Sequence, residues 1–400
     1  MMYQYKNIKS VHLEVTTKCN ANCPMCSRNN FGVVCPKLKL VELTLKDCKK
    51  IFPVMFIEQI TNINICGAYG DPTMAQELLE IIEYFHHINP NLKVEVYTNG
   101  GARSISWWER LAQVTGRQGK VVFGIDGLED TNYIYRRGII FSLVLRNATA
   151  FIRAGGNAQW DFIVFKHNEH QVEQARKLSV KLGFNIFQIK RTNRFCKMLY
   201  KKDPAFEGVG ERFGKYPLYN LYGQKYGYIE LPENPDYCNY SQKKINSLIK
   251  KFGSLNKYFD KTPINCKAKR DLSIFISATG MVYPCCWIYN QANCKTLYNI
   301  TDKSELGIDN IIHNIGGIHQ ISAKENLLKD IIEGEFFKGI EESWNLPKVT
   351  EGRLKICASA CGCHADTYED QFENKALIPG ISHAENPVAY KKRYSLKKYN

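Results

Sequence analysis

The sequence lacks any apolar run long enough to cross a bilayer. The run around Ile139–Leu145 falls far short of the roughly 20 residues a spanning helix needs. An export signal is also missing, since the start, Met1-Met2-Tyr3-Gln4-Tyr5-Lys6, has no basic segment leading into an apolar one. These absences predict a cytoplasmic protein with no membrane partner. Acidic residues are scarce: 39 Asp plus Glu against 54 Lys plus Arg leave a net charge of +15. Between Lys243 and Arg270, nine basic residues face the single acid Asp260, and Lys391, Lys392, Arg393, Lys397 and Lys398 form a second basic group. Such a balance suits an anionic partner, nucleic acid included, but no RNA-binding motif accompanies it, and a solvated basic face is the plainer account. Only about ten residues precede the first expected strand, which predicts no fused leader-peptide recognition domain. Cysteine is not scarce. Fifteen cysteines, an odd number with no secretory signal, favour metal ligation and buried thiols over a disulfide framework.

Three of those cysteines dominate the reading. Cys19, Cys23 and Cys26 stand in one polar loop, Lys18-Cys19-Asn20-Ala21-Asn22-Cys23-Pro24-Met25-Cys26, with gaps of three and two residues. Thiolates are the usual ligands of iron–sulfur clusters, and this spacing lets one loop wrap three corners of a cubane. The fourth iron then has no protein ligand and is open to substrate or cofactor, whereas a structural zinc site closes its tetrahedron with four protein ligands. Structural zinc and unligated core thiols are the alternatives. The loop follows Val11–Thr16, whose alternation reads as a strand, so the cysteines fall at a strand's carboxyl end, where barrel enzymes place their chemistry.

From residue 11 to about 191 short apolar runs alternate with longer amphipathic ones, the pattern of repeated β/α units. Strands are expected at Val11–Thr16, Asn62–Cys66, Lys93–Thr98, Val121–Asp126, Asp161–Lys166 and Ile186–Lys190. Helices are expected at Thr44–Ile51, Met74–Ile88, Ser104–Val114, Phe141–Ala154 and Gln171–Leu182, the last stopped by Gly183.

In its cysteine loop after the first strand the sequence resembles the radical S-adenosylmethionine (radical SAM) superfamily, whose CxxxCxxC loop holds a [4Fe–4S] cluster. The resemblance implies a partial (β/α)6 barrel with cluster and SAM at its open carboxyl face. Met25 stands where the family commonly has an aromatic near the adenine; its thioether can fill that space. Cys66-Gly67-Ala68-Tyr69-Gly70-Asp71-Pro72 matches the family's Gly-Gly-Glu-Pro segment, with Asp for Glu. By that match Gly67, Gly70, Asp71 and Pro72 would hold the SAM amino group, close backbone approach being what glycine allows. Cys66 is read as a buried strand residue. Thr98 and Asn99 in Tyr97-Thr98-Asn99-Gly100-Gly101, and Asp126 in Ile125-Asp126-Gly127 followed by Arg136-Arg137-Gly138, recur in the SPASM and twitch group. Thr98 and Asn99 would face SAM, Asp126 the cofactor or substrate as the candidate catalytic group, and Arg136 or Arg137 a carboxylate. Val164 and Asn168 would neighbour ribose or adenine.

A connecting stretch, 192–262, rich in Gly, Pro, Tyr and Lys, reads as linker and substrate-side lid after a barrel at 1–191, with a basic helix near Tyr240–Phe252. Then Cys266 is followed after thirteen residues by Gly280 and after four more by Cys285; a strand, a tight Thr-Gly turn and a returning strand would join the two thiols. The spacing resembles the opening of the SPASM motif. With Cys357 and Cys361 it implies one auxiliary [4Fe–4S] cluster in a small α+β, twitch-like module at 263–400. Cys286, Cys294 and Cys363 are spare candidates, Cys238 a weaker one, and four spaced cysteines would also suit zinc. As the resemblance has it, the chain is an enzyme. An external flavodoxin- or ferredoxin-type donor reduces the cluster, SAM is cleaved to methionine and a 5′-deoxyadenosyl radical, and that radical takes a hydrogen from a peptide, protein or small-molecule substrate. The competing readings are a radical SAM enzyme modifying nucleic acid such as tRNA, and a non-catalytic iron–sulfur or zinc protein.

Overall fold

The structure is a computed structural model describing residues 3–30, 33–192, 194–195, 214–220, 222, 224–239, 241–298 and 307–362. The basic group at 391–398 and Cys363 lie outside the described residues, as does the side chain of Cys294.

Six parallel strands alternating with helices build the first part of the chain. The strands are β1 (Ser10–Leu13), β2 (Asn62–Ile65), β3 (Lys93–Thr98), β4 (Lys120–Gly124), β5 (Ala158–Ile163) and β6 (Ile186–Lys190), all parallel in sequence order. Between them run α1 (Leu45–Ile51), α2 (Leu78–Ile88), α3 (Ile105–Thr115), α4 (Phe141–Arg153) and α5 (Val172–Leu182). Local chemistry sets their ends. Thr44 and Asp47 form a capping box at α1, the Ser104 side chain accepts from Trp107 N–H at α3, and Gly183 closes α5 at φ 90°, a conformation only glycine adopts cheaply. The expected helix Met74–Ile88 begins later, because Pro72–Met74 forms a 3-10 turn capped by Asp71.

One face of the sheet is apolar and covered by the helices. Trp108 of α3 lies 5.3 Å from Phe123 of β4, and Trp160 of β5 lies 5.3 Å from Phe184. The other face is polar. Lys120 pairs with Glu95 at 3.1 Å, Tyr97 Oη donates to Glu95 at 2.8 Å, Gln159 donates to Asp161 at 2.6 Å and to Gln188 at 2.7 Å, and Lys190 pairs with Asp161. Strands covered on both sides usually read as continuous apolar runs, so these alternating charges mark an inner face built for polar company. The architecture is the partial β/α barrel that the repeats predict.

The sheet is wider than these six strands. Downstream, β9 (Ser273–Ile276) lies parallel to β1 on the side away from β2, and β10 (Val282–Tyr283) returns antiparallel to it, giving an eight-stranded order β10-β9-β1-β2-β3-β4-β5-β6. Gly280 makes the turn at φ 85°. The cysteine-bearing hairpin therefore extends the barrel sheet.

The described part of 192–262 is also more regular than its composition suggests. Lys215–Tyr219 (β7) and Lys225–Glu230 (β8) form an antiparallel ribbon, with Pro217 opposite Tyr228. A two-stranded ribbon is all edge, so a proline with no N–H to give is tolerated. Helices follow at Ser241–Phe252 (α6), Leu255–Lys261 (α7), Cys286–Tyr298 (α8), Gly307–Asn314 (α9), Leu328–Ile332 (α10), Glu335–Ser343 (α11) and Lys355–Cys361 (α12). Leu248, Tyr258, Phe259, Val349 and Ala358 make a separate small core there. Among the described residues no helix is long and apolar enough to cross a membrane.

Candidate active site

The loop after β1 is held by main-chain hydrogen bonds. Cys26 N–H donates to the Cys23 carbonyl at 3.1 Å, and Asn29 donates from its main chain to the Cys26 carbonyl at 2.9 Å and from its side chain to the Cys23 carbonyl at 2.9 Å. Arg28, fully inside, bridges the Thr17 and Tyr69 carbonyls at 3.3 and 3.2 Å, and Ser27 Oγ donates to the Ala68 carbonyl at 2.9 Å. The cysteine loop and the glycine segment after β2 are thus stitched together.

Burial pushes the Cys19 thiol up to about 12 and Cys23 up to about 11, so thiolates there need help. It is at hand. Ala21 N–H and the Asn99 amide donate to the Cys19 sulfur at 3.4 and 3.8 Å, and the Arg136 guanidinium faces Cys23 and pulls it down. Three thiols in one loop, with N–H donors at one sulfur and a cation at another, fit a cluster ligated by three thiolates.

The other expected residues form a connected frame. The Asp71 carboxylate accepts from Thr73 N–H at 3.0 Å, Thr73 Oγ1 at 2.7 Å, Thr98 Oγ1 at 2.8 Å and Asn99 N–H at 2.7 Å. It therefore fixes Thr98 and Asn99, and Asn99 in turn reaches Asn20 Oδ1 at 2.9 Å in the cysteine loop. Asp126 is wholly buried. Its carboxylate accepts from Arg136 Nε at 2.6 Å and Ile163 N–H at 2.7 Å, and burial pushes its carboxyl up although Arg136 pulls the other way. The carboxylate that Arg136 meets is this internal one.

The Asn168 amide is spent on the Asp126 and Ile163 carbonyls, at 2.8 and 3.0 Å, and its oxygen accepts Phe165 N–H at 2.7 Å. Val164 is buried and its N–H donates to the Lys190 carbonyl. Met25 is buried, with its carbonyl accepting from Arg194. Pro72 is buried in the 3-10 turn.

Gly67 and Gly70 are forced by packing. A Cβ on Gly70 would sit 1.8 Å from the Thr16 carbonyl oxygen, and one on Gly67 2.0 Å from the Gly70 carbonyl oxygen. Their close neighbours are main chain, including the strand end that launches the cysteine loop.

Sequence reading missed two contributors. The β7–β8 ribbon clasps the loop: Tyr216 Oη donates to the Pro24 carbonyl at 3.0 Å, and Arg137 donates to the Tyr219 carbonyl at 3.1 Å with its guanidinium 5.2 Å from the Tyr226 ring. The second is Glu14, just beyond β1. Tyr69 N–H donates to Glu14 Oε1 at 2.7 Å, and burial pushes its carboxyl up to about 7. An acid between Leu13 and Val15 in the expected strand Val11–Thr16 was the available signal.

At the far end of the chain, Cys266, Cys285, Cys357 and Cys361 lie near enough to feel one another's charge. Cys266 is held below the ordinary thiol range, chiefly by a hydrogen bond from Cys361; burial pushes Cys285 up, with Cys286 and Cys266 adding to it; Cys357 is pushed up by burial and then by Cys285 and Cys266. An antiparallel bridge between Ile264 and Gly362 and the Asn265 N–H to Cys361 carbonyl bond at 2.9 Å bring the first and last of them together. Four thiols are the donor type an iron–sulfur cluster takes. Among the described residues no three His, Cys, Asp or Glu side chains converge on a single metal ion. Cys286 instead neighbours Cys66 and Glu14, and Cys238 donates to the Pro232 carbonyl at 3.3 Å.

Residues 13–178 match the family model described as Radical SAM superfamily. The 7,8-dihydro-6-hydroxymethylpterin dimethyltransferase of Methanocaldococcus jannaschii is 27% identical over 130 residues, 32% of this chain and 24% of that protein, so the match spans about a quarter of the relative's length. The crystal structure of Streptococcus suis SuiB bound to precursor peptide SuiA is similar with a TM-score of 0.50 at 15% identity, covering 89% of this chain and 73% of that one. That of anSMEcpe with bound AdoMet has a TM-score of 0.48 at 14% identity, covering 97% and 99%. The likeness to SuiB is one of fold.

Proposed function

We propose that this chain, whose residues 13–178 match the radical SAM superfamily model, is a radical SAM enzyme that abstracts hydrogen from a peptide, protein or small-molecule substrate, with a [4Fe–4S] cluster on Cys19, Cys23 and Cys26. A cluster bound there supplies the electron that cleaves SAM to methionine and a 5′-deoxyadenosyl radical. The observation carrying this reading is the three-thiol loop at the carboxyl end of β1, with the Asn99 amide at Cys19 and Arg136 at Cys23.

The chain's own residues have separable parts in it. Asn99 and Arg136 stabilise the thiolates. Asp71 locks Thr98 and Asn99 where strand-end main chain can meet the ammonium of SAM, and Gly67 and Gly70 keep that main chain close to the cysteine loop. Asp126 is assigned a positioning role toward Arg136 rather than a proton transfer, because both of its oxygens already accept hydrogen bonds. The inner face bearing Tyr97, Asp161 and Lys190 supports a substrate with polar groups. Cys266, Cys285, Cys357 and Cys361 are proposed to hold a second, twitch-type cluster, and a flavodoxin- or ferredoxin-type protein to supply electrons.

Replacing Cys19, Cys23 and Cys26 together with Ala tests this. Reductive formation of 5′-deoxyadenosine should disappear and iron should fall from about eight to about four per chain. Continued SAM cleavage by the triple variant would refute the assignment.

A further inference from the structure

Tyr3 meets Cys266 across 263 residues of sequence, its hydroxyl 3.8 Å from the sulfur. We infer that Tyr3 is a positioning residue of the C-terminal thiol site, donating a hydrogen bond to the Cys266 sulfur and thereby setting the reduction potential of the cluster held there. The inference rests on the proposed ligation by Cys266, Cys285, Cys357 and Cys361.

The direction of the bond follows from chemistry. A cysteine ligating iron does so as thiolate and has no proton to give, so the phenol must be the donor. The ring is not a passing contact. Tyr3 is 6% exposed and packs edge-on against Phe337 with centroids 5.1 Å apart. Its main-chain N–H donates to Glu341 Oε1 at 2.9 Å, and two residues on, Tyr5 N–H donates to Glu333 Oε1 at 3.0 Å. Lys269, three residues beyond Cys266, pairs with Glu341 and lies 5.9 Å from the Tyr3 ring. Acids near α10 and on α11 thus pin the amino-terminal strand of chain so that its one buried hydroxyl meets the sulfur.

A donor at a ligand sulfur stabilises the more electron-rich, reduced cluster and raises its potential; removing the donor lowers it. Tyr3→Phe keeps the ring, its packing and its exclusion of water, and deletes only the donor.

The experiment uses the full chain carrying Ala at Cys19, Cys23 and Cys26, so that one iron site remains, reconstituted anaerobically with iron and sulfide. Its midpoint potential is read by dye-mediated titration with spectroscopic detection. Tyr3→Phe should retain the iron content of its parent and shift the midpoint to more negative values, whereas Tyr5→Phe, which alters a neighbouring phenol away from the sulfur, should not. Equal iron with an unmoved midpoint in Tyr3→Phe overturns the inference while the cluster reading stands. A parent that binds no iron, or zinc in its place, overturns the cluster reading and the inference with it.

Discussion

The two groups of thiols are built in opposite ways. The barrel group comes from one loop of eight residues, Cys19 to Cys26, and the strand ends around it hold that loop from outside through Arg28, Ser27 and Asn99. The C-terminal group is gathered from Cys266, from Cys285 after the hairpin, and from Cys357 and Cys361 on α12, with the chain's third residue touching one sulfur. A local site can keep its shape without its metal, because the backbone has already been ordered. A site assembled from distant segments pays the loop-closure entropy of every segment it joins, so metal binding there is tied to folding.

The largest effect that follows is at Cys285. Cys285→Ser should lose about four irons and melt α8 to α12 at a lower temperature than the barrel, seen as a second transition in thermal unfolding and as protease sensitivity after residue 285. A single unshifted transition would erase the contrast between the two sites. Gly70→Ala should strike the barrel site nearly as hard. With its added carbon 1.8 Å from the Thr16 oxygen, main chain must move, at a cost of roughly 3 kcal/mol or more, and iron at the Cys19 loop should be lost together with SAM affinity. Full iron with only SAM binding reduced would mean that the glycine serves the ligand and not the loop.

Glu14 sits on the seam, between Tyr69 on the barrel side and Tyr289 of α8 on the other. Its carboxyl is raised from 4.5 to about 7 by burial, so the folded state binds its proton more tightly than the unfolded chain does. That contribution is full below pH 4.5 and is lost as pH climbs to about 7, a decline of about 3 kcal/mol. Glu14→Gln should flatten this limb of the stability profile, read from denaturant unfolding at successive pH values; parallel wild-type and variant profiles would rule it out. The smallest effect expected is at the clasp. Tyr216→Phe removes one buried hydrogen bond to the Pro24 carbonyl, costing about 1 kcal/mol, and should speed loss of iron to a chelator from the Cys19 loop without altering the C-terminal site.

Legibility followed the same divide. The cysteine loop, the β3 bounds and the Gly183 stop of α5 were readable because their causes are local: a spacing, an alternation, a left-handed cap. The β7–β8 ribbon was hidden by Pro217 and by tyrosines and lysines that alternate poorly, and only its bonds to Pro24 and Arg137 reveal its use. The pairing of β9 with β1 joins residues more than 260 apart, and no periodicity announces it. Asp126 and Arg136 stood out as separate motif residues; that each is the other's partner needed the fold. Lys190 and Asp161 were read only as strand limits, since a charge in a strand looks the same in sequence whether it faces water or a lumen.

The parallel pairing of β1 with β9 gives the carboxyl-terminal third a structural duty toward the barrel. β1 has a neighbour on each side, Asn62–Ile65 on one and Ser273–Ile276 on the other. Cutting the chain ahead of Ser273 would strip one whole flank of the strand that feeds the cysteine loop, leaving its N–H and C=O groups bare beside Val11 and Leu13. Such an edge recruits other chains. The barrel is therefore no detachable unit, and a shortened protein that precipitates would be reporting a torn sheet.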